Sequence, residues 1–230
     1  MITLNYDIIT LCNLKCQYCF QRKTGKWGII SPKSDHERIL FLLKDVKDDI
    51  HFTIIGGEPS LHPNLKNFIK GLQQTECIKE IEIYTNTVKP IILNSYDKIE
   101  FTCSTHNGKI NFKTLDYYGK VAKVSVIIMM DDYAANLKIK GKLKKYNCSF
   151  NSVIDFDTMK IMDHPTFCGF RHDVPHHKKE CIVSGFDITV TGDILTQCLS
   201  EGMNIHKNSF QDVFKNLGRC IKCPERICMN

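Results

Sequence analysis

Three cysteines near the start of the chain have the spacing of a metal-binding loop. Cys12, Cys16 and Cys19 form the pattern C-x3-C-x2-C directly after a run, residues 2–9, that predicts the first strand. Three thiolates can hold three irons of a 4Fe–4S cluster and leave the fourth iron open for another ligand. The alternative is a zinc knuckle, but structural zinc sites take four ligands, and no fourth Cys or His lies close by in sequence. We therefore expect an iron–sulfur site with an open coordination position.

A glycine-rich motif follows the second predicted strand, which covers residues 51–55. Gly56-Gly57-Glu58-Pro59 comes directly after this strand. Two glycines after a strand are by themselves only a turn signal. Their position at a strand end favours a functional role, because a parallel αβ barrel presents its functional groups at the C-terminal ends of its strands. The cysteine loop and this motif are therefore expected at successive strand ends on one side of the sheet.

Together the two motifs resemble the signatures of the radical S-adenosylmethionine (radical SAM) enzymes. The segment Cys12-Asn-Leu-Lys-Cys16-Gln-Tyr18-Cys19 includes the aromatic residue that this family carries before its third cysteine. The resemblance implies that the three cysteines hold the catalytic 4Fe–4S cluster and that SAM chelates the open iron. It also implies reductive cleavage of SAM to methionine and a 5'-deoxyadenosyl radical that abstracts hydrogen from the substrate.

The resemblance also assigns residues to the cofactor. Gly56-Gly57-Glu58-Pro59 would lie against the methionyl amino group, since an ammonium needs acceptors and glycines let backbone carbonyls approach it. Tyr18 and Phe20 are expected beside the adenine, with plain packing as the alternative for Phe20. Three further residues stand at strand ends where the family contacts the methionyl carboxylate and ribose, and each has the alternative of an ordinary turn residue: Thr85, Asn86 and Ser104.

A second group of cysteines occupies the last third of the chain. This group resembles the shortened auxiliary-cluster module called Twitch, and it has fewer cysteines than the longer SPASM module needs. The resemblance implies a second 4Fe–4S cluster held by four thiolates, with a four-cysteine zinc site as the alternative. Its candidate ligands are Cys181, Cys198 and Cys220, completed by Cys223 or Cys228, and Cys168 is a possible substitute at the front. The isolated Cys77, Cys103 and Cys148 are most simply buried apolar residues.

Other polar residues near the expected site have no ligand-like spacing. Four histidines between the two regions fit no familiar metal set and are interpreted as part of a polar linker: His164, His172, His176 and His177. Arg171 and Asp173 in the linker, and Asp131 and Asp132 after the fifth strand, are placed where a substrate could contact them. Each is equally an ordinary exposed loop residue.

The elements that must position these groups alternate between β-branched runs and amphipathic stretches. This pattern predicts repeated strand–helix units around a parallel sheet. Strands are predicted at 2–9, 51–55, 81–85, 99–104, 121–130 and 149–155, and helices at 32–47, 62–74 and 133–145. We expect Ser31 to cap the first of these helices, with Pro32 as its first residue. The six units predict an α/β fold, a partial (β/α)6 barrel over residues 1–155.

The region after the barrel has a different composition. Residues 156–180 are interpreted as a linker, and residues 181–230 as a small cysteine-rich module. Within this module a hairpin is predicted over 186–197, because Ile188-Thr-Val190 and Ile194-Leu-Thr196 flank a plausible tight turn. A short helix is predicted over 210–217.

Composition excludes several classes of protein. The 230 residues are 43% hydrophobic and 24% charged, as in a folded domain, and no apolar run is long enough to span a bilayer. The net charge of +6 is scattered, and the Lys142, Lys144 and Lys145 cluster lacks stacking aromatics, so nucleic-acid binding is not indicated. The N-terminus lacks a secretory signal, which predicts a cytoplasmic protein. In that setting 12 cysteines favour metal or redox chemistry over disulfides.

The reaction class is better defined than the substrate. Auxiliary-cluster relatives modify ribosomally synthesised peptides or dehydrogenate small molecules such as aminocyclitols, and we take peptide modification as the leading hypothesis. The chain begins at its first strand, with no leader-recognition domain ahead of it, which favours the small-molecule alternative. An activating enzyme for a glycyl-radical partner is less favoured, and a zinc-binding scaffold is the non-enzyme alternative. A reducing partner such as flavodoxin or ferredoxin is implied by the family chemistry.

Overall fold

The computed structural model describes residues 1–23, 25–129, 131–151, 154–155, 160–161, 185–196 and 203–214. Eight of the strands in this part form one sheet in the order β10-β9-β1-β2-β3-β4-β5-β6. The strands are β1 (Ile2–Ile9), β2 (Ile50–Gly56), β3 (Ile78–Thr85), β4 (Ile99–Thr105), β5 (Lys123–Met129), β6 (Asn147–Asn151), β7 (Ile154–Asp155), β8 (Lys160–Ile161), β9 (Gly185–Ile188) and β10 (Ile194–Thr196). The helices are α1 (Phe20–Lys23), α2 (Lys33–Leu43), α3 (Leu65–Gln73), α4 (Phe112–Val121), α5 (Tyr133–Lys142) and α6 (Phe210–Phe214).

The predicted α/β fold is confirmed. Strands β1 to β6 are all parallel, and β9 adds a seventh parallel strand beside β1. Strand β10 pairs antiparallel with β9 and forms one edge of the sheet. The carboxyl ends of the seven parallel strands therefore meet at one edge, as a partial barrel of the expected type requires.

Buried apolar and half-buried polar residues alternate along the strands, so the sheet has one packed face and one polar face. On β1, Leu4, Tyr6 and Ile8 are fully buried, whereas Thr3, Asn5 and Asp7 are half-buried on the opposite face. Helices α2 and α3 cover the apolar face, because their buried residues repeat at helical spacing. These include Ile39 and Leu43 on α2, and Leu65, Phe68 and Leu72 on α3. The other face is left polar and is available to line a site.

Two details of the predicted strand–helix pattern are wrong. No helix joins β3 to β4, since the described residues 86–98 contain turns and bends only, so the third unit lacks its helix. Ser31 does not cap α2, whose N-cap is Pro32 with no side-chain hydrogen bond. Instead the Ser31 hydroxyl donates to the Ile8 carbonyl at 2.7 Å and contacts His36 Nε2 at 3.0 Å. The hydroxyl bonds to Ile8 and not to the helix because Ser31 lies beside the end of β1.

Two buried histidines pack beside Ser31. His62 Nε2 lies 3.1 Å from the Ser31 carbonyl, and the Asn64 backbone N–H donates to His62 Nδ1 at 3.1 Å. His36 faces Ser31 through Nε2 and the Asn64 amide through Nδ1, at 3.2 Å. In each ring one nitrogen thus faces a hydrogen-bond acceptor and the other faces a donor, which is the pattern of a neutral imidazole. Burial lowers the pKa of His36 to about 3 and also lowers the pKa of His62.

The predicted hairpin is confirmed as β9 and β10, but it does not stand apart from the barrel. Leu4 on β1 pairs with Phe186 on β9, and the Asn5 amide donates to Asp187 at 2.7 Å. Phe186 and Phe210 of α6 are both buried, with ring centroids 5.3 Å apart. The predicted strand over 149–155 is divided between β6 and the short antiparallel pair β7–β8. Among the described residues, no helix has both the length and the apolar character to cross a membrane.

Candidate active site

The cysteine loop leaves the carboxyl end of β1 and returns beside it. The Thr10 N–H donates to the Ile29 carbonyl at 2.8 Å, and the Ile29 N–H donates to the Thr10 hydroxyl oxygen at 2.8 Å. The Thr10 hydroxyl also bonds to the Lys26 carbonyl. These bonds close the base of the loop, so that the segment carrying the three cysteines projects from the sheet edge where functional groups of parallel sheets collect.

Cys12, Cys16 and Cys19 are free thiols, each half-buried. Burial raises the pKa of Cys12 to about 11 and also raises the pKa of Cys16. The metal-free loop therefore carries neutral thiols at those two positions, and a cationic centre would be needed to hold them as thiolates. In the described part of the chain, no three His, Cys, Asp or Glu side chains stand close enough together to hold a metal ion as placed.

Two N–H groups point at the Cys12 sulfur. The Leu14 N–H donates to Cys12 Sγ at 3.4 Å, and the Asn86 amide lies 3.5 Å from the same atom. Asn86 also donates to Asn13 Oδ1 at 2.8 Å, which holds its amide against the loop. Hydrogen bonds of this kind stabilise a ligating sulfur and tune the group that it binds. Asn86, predicted from its position at the end of β3, thus lies beside the first cysteine.

The glycine motif is joined to the cysteine loop by backbone hydrogen bonds. The Gly57 N–H donates to the Ile9 carbonyl at 2.5 Å, and the Glu58 N–H donates to the Leu11 carbonyl at 2.9 Å. A Cβ on Gly57 would lie 2.3 Å from the Leu11 carbonyl oxygen, and Gly56 has a φ of +136°. Both positions therefore require glycine. In this structure the two glycines allow the ends of β1 and β2 to touch, and their contact with the ammonium of a cofactor stays a prediction.

Glu58 ties the ends of β2 and β3 together. Its side chain is completely buried, and Oε1 accepts from the Ser60 N–H at 3.0 Å and from the Thr85 hydroxyl at 2.8 Å. Oε2 accepts from the Asn86 N–H at 2.7 Å. Pro59 begins a short 3-10 turn, Pro59–Leu61, directly after it. Through Asn86, the carboxylate fixes a residue that contacts the cysteine loop. A direct contact between Glu58 and a cofactor stays a prediction.

The far end of the loop is bonded to the ends of β4 and β5. The Tyr18 hydroxyl donates to Asp131 Oδ2 at 2.8 Å and lies 2.6 Å from His106 Nδ1. Cys16 Sγ is 3.5 Å from the same nitrogen, and Ser104 Oγ is 2.9 Å from His106 Nε2. Burial lowers the pKa of His106, against the opposing charge of Asp131. Sequence reasoning placed Tyr18, Ser104 and Asp131 near the site but missed His106, whose only signal is its position directly after β4.

A polar cleft of about 510 Å³ lies on the open face of β1, β2 and β3. Six residues with polar groups line it together with the apolar Met1 and Ile55; the six are Thr3, Asn5, His51, Thr53, Glu82 and Tyr84. His51 contacts Glu80 at 2.9 Å and Glu82 at 3.2 Å, and the Thr102 hydroxyl donates to Glu82 at 2.5 Å. Nearby on β1, burial raises the pKa of Asp7 to about 6, and the charge of Asp187 adds to the shift. The cleft thus presents hydroxyl, amide, imidazole and carboxylate groups on the polar face of the sheet.

The structure brings most of the predicted first-site residues to one sheet edge. Those it gathers there are Cys12, Cys16, Cys19, Tyr18, Gly56, Gly57, Glu58, Pro59, Asn86 and Ser104. Cys77 and Cys103 are buried as expected, and Cys148 is half-buried. The second cysteine group falls outside the described residues, as do Cys168 and the linker histidines; its members are Cys181, Cys198, Cys220, Cys223 and Cys228.

Comparison with known proteins identifies similarity at the level of family and fold. The model of the radical SAM superfamily matches residues 6–101, which contain both motifs. The chain is 29% identical to GTP 3',8-cyclase of Thermodesulfovibrio yellowstonii over 136 residues, 56% of this chain and 40% of that protein. It is 34% identical to molybdenum cofactor biosynthesis protein 1 of Bos taurus over 93 residues, 37% of this chain and 14% of that protein. The chain thus spans less than half the length of these curated relatives.

Two solved structures share the fold. BtrN in an open conformation aligns with a TM-score of 0.56 at 16% identity, covering 99% of this chain and 90% of BtrN. A structure of anSMEcpe with bound AdoMet and Cp18Cys peptide aligns with a TM-score of 0.61 at 13% identity, covering 93% of this chain and 80% of that protein. At these identities the likeness concerns the fold of the chain.

Proposed function

We propose that this chain, whose membership of the radical SAM superfamily the family model and the shared fold support, is a radical SAM enzyme. Cys12, Cys16 and Cys19 would hold a 4Fe–4S cluster at the end of β1. The observation that carries the proposal is the junction at this sheet edge. The loop bearing the cysteines is bonded through its backbone to Gly57 and Glu58, and through Asn86 to the end of β3.

The donor set of the loop fits such a cluster. It offers three free thiols, and two of them are held neutral by burial until a cationic centre stabilises their thiolates. N–H groups already face the Cys12 sulfur, and hydrogen bonds of this kind tune the reduction potential of an iron–sulfur cluster. When bound together, the cluster and SAM supply reductive cleavage of SAM and hydrogen-atom abstraction from a substrate.

The remaining residues of the site would orient SAM and keep water from it. The backbone of Gly56-Gly57-Glu58-Pro59 stands next to the cysteine loop, with carbonyl groups suited to an ammonium. Asn86 and Ser104 stand at the neighbouring ends of β3 and β4, within reach of carboxylate and hydroxyl groups bound at this edge. Tyr18 would contribute its ring face, because its hydroxyl is already bonded to Asp131.

We take a ribosomally synthesised peptide as the first substrate class. The polar face of the sheet is open, which suits an extended chain entering along it, and the related fold of anSMEcpe holds a peptide together with AdoMet. The polar cleft favours a second class, a small polyhydroxylated or amine-bearing molecule such as an aminocyclitol. Its volume of about 510 Å³ is within the range of small-molecule sites, and its walls carry hydrogen-bonding groups.

We further propose an auxiliary 4Fe–4S cluster in the region 181–230, beyond the barrel over 1–155 and the linker over 156–180. The ligands would be Cys181, Cys198, Cys220 and either Cys223 or Cys228. This part rests on cysteine number and spacing, which suit a four-thiolate site. A flavodoxin- or ferredoxin-type protein would supply the electrons.

The first test is anaerobic reconstitution of the full chain with iron and sulfide, followed by a dithionite-driven assay for 5'-deoxyadenosine. We expect about eight irons per chain and formation of 5'-deoxyadenosine from SAM. Cys16→Ala should abolish the product. Cys148→Ala is the matched control, since it removes a half-buried cysteine away from the loop, and it should keep the activity. Zinc without iron, and no 5'-deoxyadenosine in the wild type, would overturn the proposal.

The same assay separates the finer proposals. Cys181→Ala together with Cys198→Ala should remove about four irons and leave SAM cleavage measurable; unchanged iron would refute the auxiliary cluster. For the substrate, deuterated candidates from each class are incubated with the reconstituted enzyme. The true class transfers deuterium to 5'-deoxyadenosine and raises its rate of formation above the uncoupled rate. If no peptide does so but a small aminocyclitol does, the second substrate class replaces the first.

A further inference from the structure

A series of side-chain hydrogen bonds connects the middle of the cysteine loop, which follows β1, to residues that follow β4 and β5. Tyr18 reaches Asp131, which follows β5, and His106, which follows β4. Strands β2 and β3 lie between β1 and β4 in the sheet order, so these contacts cross two strand ends. The Asn107 backbone N–H also donates to Asp131 Oδ2 at 2.8 Å, which fixes the carboxylate against the segment that carries His106.

Which groups donate and which accept in this series of hydrogen bonds determines the tautomer of His106. Because the Tyr18 hydroxyl donates to Asp131, its oxygen is free to accept, and the partner at 2.6 Å is His106 Nδ1. His106 Nδ1 must then carry the ring proton. His106 Nε2 has no proton in this tautomer and can accept from the Ser104 hydroxyl at 2.9 Å, a shorter contact than the 3.5 Å between the same hydroxyl and the Thr85 carbonyl oxygen. All four groups are satisfied by one arrangement of protons.

The same Nδ1–H faces a cysteine. Cys16 Sγ lies 3.5 Å from His106 Nδ1, so the N–H is shared between the Tyr18 oxygen and this sulfur. The rings of Tyr18 and His106 are nearly parallel, at 10°, with centroids 6.2 Å apart. Residues 16 and 18 are therefore held by one nitrogen atom, whereas Cys12 is held separately by Leu14 and Asn86.

We propose that His106 is a positioning residue that holds Cys16 and Tyr18 over the ends of β4 and β5, through its Nδ1–H and with Asp131 as the second anchor. The importance of His106 for catalysis rests on the proposed function, because Cys16 is needed only as a ligand of the proposed cluster. The positioning itself concerns the protein's own side chains and can be measured without iron.

The test compares three substitutions of His106 in the full-length, metal-free protein. Asn places an amide donor where Nδ1 stands, Gln extends an amide toward the position of Nε2, and Ala removes both. The measurement is hydrogen exchange of the backbone amides of residues 16–19, read by mass spectrometry against those of β2. We expect roughly five-fold faster exchange in this segment for His106→Ala and His106→Gln, the effect of losing one hydrogen bond. His106→Asn should stay near the wild type, and β2 should not change in any variant.

Tyr18→Phe keeps the ring and removes the hydroxyl, so it provides a second variant if the His106 variants fold poorly. It should speed exchange of the same segment. Equal exchange in wild type, His106→Ala and Tyr18→Phe would overturn the proposal, as would His106→Asn behaving like His106→Ala. After reconstitution, His106→Ala should lose iron on desalting faster than His106→Asn. A wild-type protein that takes up no iron would refute the proposed function, while the exchange data would still decide the role of His106.

Discussion

At the scale of single residues, the Glu58 carboxylate joins the ends of two neighbouring strands, β2 and β3. It accepts three hydrogen bonds while fully buried. Glu58→Gln would keep its shape but turn an amide N–H2 toward the N–H of Ser60 or Asn86. We expect the free energy of unfolding to fall by about 1–3 kcal/mol, the cost of leaving a buried donor unsatisfied. Urea denaturation measures it.

The matched control for this change is Glu76→Gln, because Glu76 is exposed on the surface. It should change the free energy of unfolding by less than about 0.5 kcal/mol. If the two variants have the same stability, the hydrogen bonds of Glu58 do not hold β2 to β3, and its carboxylate is available for another partner.

Residue types and spacing could predict the cysteines and the glycine motif, since both are local in sequence. His106 has one signal in the sequence, its position directly after β4, but its contact with Cys16 could not be predicted, because only the folded sheet brings the end of β4 near the loop. The roles of Gly57 and Glu58 were also beyond the sequence. The motif showed that the two residues belong together, but not that their contacts would be to Leu11 and Thr85.

At the scale of elements, the junction of β1 with β2 depends on Gly57. Gly57→Ala would place a methyl group 2.3 Å from the Leu11 carbonyl oxygen, a backbone atom that cannot move without displacing the cysteine loop. We expect a loss of stability of about 1–3 kcal/mol from the forced backbone shift, and loss of iron uptake. Thermal denaturation and iron analysis after reconstitution measure the two effects.

Gly141 in α5 offers the matched control, because a Cβ there would have no heavy atom within 4 Å. Gly141→Ala should leave iron uptake unchanged and raise stability by up to about 1 kcal/mol through helix propensity. Normal iron uptake by Gly57→Ala would show that the close approach of the two strand ends is not needed for the site.

The regular elements were predictable where burial imposes a period. Strands β1, β4 and β5 lie within a few residues of their predicted bounds, because alternating or continuous apolar runs mark them. Helix α4 was not delimited, and Ser31 was assigned to a cap although its hydroxyl bonds to Ile8. The parallel pairing of β9 with β1 joins residues 182 positions apart, as for Asn5 and Asp187, and no local pattern encodes such a partner.

At the scale of the whole molecule, the paired histidines His36 and His62 make stability depend on pH. Their folded pKa values lie below the unfolded value, so below about pH 6.5 the unfolded chain binds protons that the native protein does not. Stability is therefore complete above pH 6.5 and falls as the pH drops, by up to about 1.4 kcal/mol per pH unit for His36, and the lowered pKa of His62 adds to the fall in the same direction. Asp35, the neighbouring carboxylate, is paired with His206 at 2.9 Å.

Asp7 opposes this trend over part of the range. Its folded pKa of about 6 lies above the ordinary value of 3.8 for an aspartate, so the native protein binds a proton at higher pH than the unfolded chain does, and falling pH stabilises it between those values. Urea denaturation at pH 7.5, 6.5, 5.5 and 4.5 should show a decline that Asp7→Asn makes steeper below pH 6. His36→Gln combined with His62→Gln should remove the decline. Parallel curves for wild type and this double variant would contradict the assignment to the two histidines.

The pairing of β1 with β9 has a consequence for how the protein is made. Strand β1 leaves the ribosome before β9, and the partner of one of its edges lies 182 residues later for Asn5. At synthesis rates of about 5–20 residues per second, that edge waits roughly 10–40 s for its partner. During this interval an unpaired strand can associate with other chains. Slower synthesis or a shortage of chaperones should therefore lower the soluble yield of this protein.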